Sequence, residues 1–187
     1  TMNQTAYGDP VGGFNAAAAL MLGLLHRQQT GQGQNIDLSQ IECMIPFVAP
    51  ELIAQSALGA VPPRIGNRHP VSVPHGCFRC AGDDRWIAIA ITDDKAWRAC
   101  CNVLERPDLT DLSAAQRRQR EAELETVLQA WTTTRDAEEA MNVLQRAGVA
   151  AGVVRTPMEL DRDPHLTARG FWHRHERPFI GAHWHSS

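Results

Sequence analysis

One run without apolar periodicity divides this chain. From Arg64 to Gly76 the sequence reads RIGNRHPVSVPHG, with Pro63 just before it. Proline fixes φ and pushes the preceding residue towards extended backbone. Glycine admits dihedrals that other residues avoid. No regular helix or strand fits such a stretch, so a long, extended, polar connection is expected. Long connections in compact domains are either linkers or functional loops, and here one stretch is suited to both.

The part before it reads as helix, strand, helix. Asp9 and Pro10 suit a helix start, and Phe14, Ala17, Ala18, Met21, Leu22 and Leu25 then recur at helical spacing. Gly31 suits the left-handed residue that ends a helix. Gln34 to Leu38 reads as a short strand, and Ser39 to Glu42 as a capping box. Pro46 and Pro50 should break the helix that follows, and Gly59 ends the region. One strand cannot make a sheet, so residues 1–59 look like a piece of a larger α/β domain.

The part after the run has its own logic. His75 to Cys80 and Arg85 to Ile91 read as a hairpin turning at Ala81 to Asp84. Thr92 is the expected cap of a helix whose apolar face carries Trp97, Cys100, Cys101 and Leu104. Leu124, Val127, Leu128 and Trp131 repeat that spacing in a charged helix. Asp136 with Glu139 opens another, running to Gly148, and Val149 to Arg155 reads as a strand. Asp163 and Pro164 start a last short helix that Gly170 stops. The division is therefore a large-domain piece over 1–59, a linker over 60–74, a small α+β domain over 75–160, and a return segment or tail over 161–187. Met2 is a plausible start, with Thr1 a remnant before it.

Several chemistries find little support. A formal net charge of −3 gives no reason to invoke nucleic acid or a membrane surface. There is no apolar run of about 18 residues for a bilayer and no secretory signal. Five cysteines do not suggest a secreted disulfide framework, so a cytoplasmic setting is expected. Cys77 and Cys80 form a C-x-x-C, but nothing completes four zinc ligands, and odd spacing on a strand sends the two thiols to opposite faces. Thr30 to Gln34 resembles a phosphate loop, yet it follows a helix and opens a strand, the reverse of the dinucleotide fingerprint. His173, His175, His183 and His185 are best read as a frayed, solvated tail. The charges from Arg117 to Glu125 read as a solvated helix face.

Taken together, the motifs resemble the family III CoA-transferases, the formyl-CoA and carnitine CoA-transferase relatives. The resemblance rests on GDPVGG from Gly8, HRQQTGQGQNIDLS from His26, RIGNRHP from Arg64, VPHGCF from Val73, DRWIAIA from Asp84, QRAGVAAGVV from Gln145 and DPHLTARGFW from Asp163. It covers nearly the whole chain, in order. It implies a partial Rossmann-like segment joined to a small α+β domain. It implies CoA transfer between carboxylic acids by an aspartyl nucleophile, through mixed-anhydride and aspartyl-CoA thioester intermediates. That aspartate lies in the family before the Gly8 motif, so no catalytic residue is expected in this chain, and Asp9 is expected only to cap. A loop carrying Ser72, Val73, His75 and Gly76 is expected to approach the thioester. Acyl-CoA and a carboxylate are the implied substrates, with no tightly bound cofactor and no metal. A second copy or a missing N-terminal half is the expected partner. The alternatives are a standalone assembly module built from this half and, on the C-x-x-C alone, a zinc module.

Overall fold

The computed structural model describes residues 6–61 and 63–186, with side chains as far as 183. The expectations for Thr1, Met2 and the His185 side chain fall outside the described residues. The chain divides into two compact units at Arg64/Ile65.

The first unit is helical. α1 (Gly8–Thr30) ends at Gly31, whose φ of 73° is the left-handed conformation that glycine tolerates best. The expected capping by Asp9 is not observed. Asp9 lies inside the first turn, and its Oδ1 accepts from Gln40 Nε2 at 2.7 Å. The strand expected over Gln34–Leu38 does not form either. Strand backbone must find a partner for its N–H and C=O groups, and the first unit offers no other strand among the described residues. The segment instead lies along α1. Gly23 permits this, since a Cβ there would meet Ile36 Cδ1 at 3.1 Å, and Gly12 does the same for Gln40 at the start of the next helix.

Ser39 caps α2 (Gln40–Cys43), accepting from the Glu42 N–H at 3.3 Å. The proline breaks fall as expected. A 3₁₀ turn over Ile45–Val48 has Pro46 near its start, and α3 (Ala49–Leu58) has Pro50 near its own. Phe14, Met21, Ile41 and Leu58 are each more than two-thirds exposed. Among its described residues this unit therefore has apolar surface and no buried apolar cluster.

The second unit holds a core. β1 (His75–Arg79) and β2 (Trp86–Ala90) form the expected hairpin. α4 (Asp94–Val103), α5 (Ala114–Gln119), α6 (Glu121–Thr133) and α7 (Ala137–Arg146) follow, and then β3 (Ala150–Val154). All three strands are antiparallel, with β2 in the centre. The register sets Ile87 between Phe78 and Val153, and Ile89 between Gly76 and Ala151. That face packs on Trp97, Cys100, Leu124, Leu128 and Leu144 from the helices. The other face carries mostly small side chains. Ala88 lies between Cys77 and Gly152, and Ala90 between His75 and Ala150.

Caps fix the helix starts. Asp93, not Thr92, caps α4, accepting from the Ala96 N–H at 2.7 Å. Asp136 caps α7 as expected. α8 (Pro157–Leu160) opens on a reciprocal box between Thr156 and Glu159, and Asp163 caps α9 (Pro164–Ala168). The tail is not frayed as expected: β4 (Trp172–Arg177) and β5 (Gly181–Ser186) pair as an antiparallel hairpin, which sets His175 opposite His183.

The charged stretch from Arg117 is not the expected solvated face. Arg117 is 2% exposed and Glu121 7%. The Arg117 guanidinium donates to the Val73 carbonyl at 3.0 Å, the Leu112 carbonyl at 2.8 Å and Asp94 at 2.9 Å. It also lies 5.5 Å from the centre of the Trp97 ring. Removing its side chain strands two inward-facing carbonyls, and each buried unsatisfied group costs about 1–3 kcal/mol. Arg117→Ala should therefore lower stability by roughly 2–4 kcal/mol in urea melts. Arg117→Lys should recover only part of the loss, because an ammonium lacks the planar fork. A loss within 0.5 kcal/mol for Arg117→Ala, the scale of an ordinary surface change, would contradict this role.

A second expectation concerns pH. Arg85 bonds Glu159, and the Thr156 N–H and hydroxyl donate to the same carboxylate. Together they hold Glu159 down to about 2. A depressed carboxylate stabilises fully above its unfolded value, near 4.3, and the contribution fades as pH falls through the folded value. The carboxyl carbon signal of Glu159 should titrate near 2, and α8 should loosen between about pH 4.3 and 2. Arg85→Met should move that titration upwards. An unchanged midpoint in the variant would rule out the pair as the main cause.

Candidate functional site

The residues from Ile65 to Gly76 are held on the second unit by a set of polar bonds. Arg68 donates to both oxygens of Glu125, at 2.8 and 2.9 Å, from the loop to α6. Such two-pronged pairs fix orientation as well as distance. Arg118 donates to the Pro70 carbonyl at 2.7 Å. Arg117 holds the Val73 carbonyl from beneath. The Val73 N–H bonds Ile91, and Ile91 in turn donates to Pro74. Val73 and Pro74 are buried, so the last part of this stretch is anchored in the core.

Two histidines shape the loop. His69 Nδ1 accepts from the N–H groups of Val71 and Ser72, at 3.2 and 3.0 Å. That nitrogen must carry a lone pair, which puts the proton of the neutral ring on Nε2. His75 has the opposite tautomer. Its Nδ1 donates to the Asn67 carbonyl at 2.6 Å, leaving Nε2 as the acceptor. The two rings lie 5.3 Å apart.

The candidate residues separate by role. Val73 faces the core. Ser72, partly exposed, uses its N–H to hold His69. His75 and Gly76 line two clefts, together with Asn67, Arg68 and Cys77. One cleft, about 450 Å³, lies between β1 and α6 and reaches Glu125, Thr126 and Gln129. The other, about 520 Å³, lies over the open face of the sheet at Ala88, Ala90 and Gly152. Sequence reasoning missed Arg68, Glu125 and Gln129. A signal existed for Arg68, inside the RIGNRHP string, but none for the α6 residues, whose partners are distant in sequence.

The cysteines behave as their positions dictate. Cys77 is exposed and Cys80 buried. Burial pushes the Cys100 thiol up to about 12 and the Cys101 thiol up to about 11. Among the described residues no group of three His, Cys, Asp or Glu side chains converges to hold a metal ion. No described helix is long and apolar enough to cross a membrane.

Comparison with known proteins agrees with this architecture. The chain is 33% identical to a probable CoA-transferase of Mycobacterium tuberculosis, over 94% of its own length and 22% of that protein's. It is 32% identical to the succinyl-CoA:mesaconate CoA-transferase of Haloarcula marismortui, over 88% of its own length and 42% of the relative's. It thus spans less than half the length of these curated relatives. The crystal structure of a CAIB/BAIF family protein from Brucella suis superimposes with a TM-score of 0.77 at 25% identity, covering all of this chain and 52% of that one. The model of CoA-transferase family III matches residues 1–185, and the chain belongs to that family.

Proposed function

We propose that this chain contributes the small domain, and the pinned loop from Ile65 to Gly76, to an enzyme that moves CoA between carboxylic acids. The observation that carries this reading is the family match over residues 1–185. The attacking aspartate comes from the N-terminal half of the family fold. It opens the acyl-CoA thioester to a mixed anhydride, and the released CoA thiolate then forms the aspartyl-CoA thioester with loss of the first acid. The acceptor carboxylate attacks the aspartyl-CoA thioester, giving a second mixed anhydride and CoA thiolate, and the thiolate attacks the acceptor's carbonyl to form the new acyl-CoA and free the aspartate.

In that cycle the residues of this chain bind and position. Arg68 with Glu125, Arg118 with Pro70, and Arg117 with Val73 fix the loop before substrate arrives. The wall formed by His75 and Gly76 then needs little reorganisation, which is where positioning lowers a barrier. Acyl-CoA and a short carboxylate are the substrates, as the name of the succinyl-CoA relative suggests. No tightly bound cofactor is required, and the setting is cytoplasmic. The exposed apolar residues of the first unit favour a second feature, assembly. Phe14, Met21 and Leu22 are each more than two-thirds exposed, and surfaces of that kind mark interaction sites. The rest of the large domain, or a second copy of the chain, covers them.

The test is CoA transfer from succinyl-CoA to a panel of carboxylates, followed by liquid chromatography. The chain alone should show none. Combined with the N-terminal half of a family relative it should bind CoA and transfer it. His75→Ala in the combined protein should lower kcat/KM by roughly tenfold or more, because a misplaced loop loses orientation. Transfer by the chain alone, or full activity with His75→Ala, would overturn the respective assignment.

A further inference from the structure

The ladder between β1 and β2 has a parity that leaves two residues of β1 unpaired. Cys80 donates to the Arg85 carbonyl at 2.8 Å, and Ile91 donates to Pro74 at 2.9 Å. In an antiparallel pair, hydrogen-bonded and non-bonded positions alternate. With the observed register, Gly76 and Phe78 therefore bond β2, while His75, Cys77 and Arg79 direct their N–H and C=O groups away from it. Arg79 verifies the parity. Its N–H donates to Gln129 at 3.1 Å, and its carbonyl accepts from Gln129 at 2.9 Å and from Thr132 at 2.8 Å. No described residue meets the backbone N–H or C=O of His75 or Cys77. His75 and Cys77 both line the cleft of about 450 Å³ between β1 and α6.

We propose that this edge binds the pantetheine arm of an acyl-CoA, an assignment that rests on the transferase reading above. Three observations favour that occupant over another strand. The edge is only two residues long, closed at one end by Gln129 on Arg79 and at the other by the buried Val73 and Pro74. A partner strand ordinarily runs five or six residues, whereas the arm carries two amides in one extended chain. Successive outward positions on a strand repeat about every 6.7 Å, so the two amides each find one residue. The cleft volume lies within the range of small-molecule sites, about 300–1,000 Å³. Its charges are already paired, Arg68 with Glu125, so it offers no free cation to a phosphate. It is suited to the neutral arm rather than to the nucleotide end.

The experiment is amide hydrogen exchange by NMR on the 187-residue chain, with pantetheine, CoA or adenosine 3′,5′-bisphosphate added to saturation. Pantetheine and CoA should each slow exchange at His75 and Cys77 at least tenfold, and the bisphosphate should not. Gly76 and Phe78, already in the ladder, should stay unchanged. Cys77→Pro removes one donor at a position where an edge strand tolerates proline, and should weaken pantetheine binding at least tenfold, while Cys77→Ala should not. If Cys77→Pro fails to fold, the wild-type exchange data still decide. No binding of pantetheine or CoA, or CoA binding without protection at these two amides, overturns the inference. Protection that appears without ligand and grows with protein concentration also overturns it, and assigns the edge to a second copy. If the combined protein transfers CoA while this edge stays unprotected, only the edge assignment falls. If pantetheine protects the edge but no transfer occurs, the edge remains a binding site and the transferase reading falls.

Discussion

The second unit depends on one buried guanidinium. Arg117 reaches back 44 residues along the chain to the Val73 carbonyl. It holds the Leu112 carbonyl beside its own helix and stacks on Trp97, the largest fully buried side chain. A cation this far from water is costly unless each donor is used. Here two bonds go to backbone carbonyls that would otherwise be stranded and a third goes to the Asp94 carboxylate, which balances the charge. The consequence is positional. A stretch from Ile65 to Pro74 with no regular helix or strand and two prolines takes one course over the core, and His75 enters β1 in a fixed register.

What the sequence made legible was what local chemistry decides. The run from Arg85 to Ile91 marked one arm of a hairpin, and Asp136 and Asp163 marked helix starts with donors two and three residues ahead. Pro46 and Pro50 marked breaks because proline lacks the N–H that a helix interior needs. What stayed hidden was decided by partners far along the chain. Ile36 and Leu38 have the alternation of a strand but no strand to pair with. Trp172 to Ser186 looked like a loose tail because its order as strands comes from pairing between its two arms, which no single position announces. Arg117 and Glu121 looked solvated because charge in a helix is normally a surface feature. Nothing at their own positions announces the carbonyls that Arg117 meets or the loop arginine, Arg68, that meets Glu121.

The two units differ in self-sufficiency, and the difference is physical. The second closes a three-stranded sheet with helices on one face and buries Ile87, Leu128 and Leu144 completely. The first, among its described residues, has helices and no sheet. α1 carries apolar residues around most of its circumference, the pattern of a helix buried on many sides. Those residues are exposed in this chain, while Gly12 and Gly23 let the following segment cover only one strip of the helix. A family whose curated members are more than twice as long supplies a natural context for such a helix. The chemistry of the surface agrees with the length comparison, although the two observations are independent.

The candidate site inherits its form from the same division of labour. Phe78, Ile87 and Ile89 need the helices on one face of the sheet, which leaves His75, Cys77, Ala88 and Gly152 on the other. The ladder parity that puts Gly76 and Phe78 in register with β2 also turns the polar groups of His75 and Cys77 outward. α6 closes the edge only at Arg79, because Gln129 is the residue there long enough to bond both its N–H and its C=O. One turn earlier α6 offers Glu125, already committed to Arg68, and the edge stays open. The open groups are therefore a product of how the core is packed and the loop is tied. A substitution that alters the loop's anchors should shift the site without touching a residue that lines it. Arg117 is the anchor to which that argument applies most directly. It contacts neither cleft, yet Val73, whose carbonyl it holds, precedes His75 by two residues.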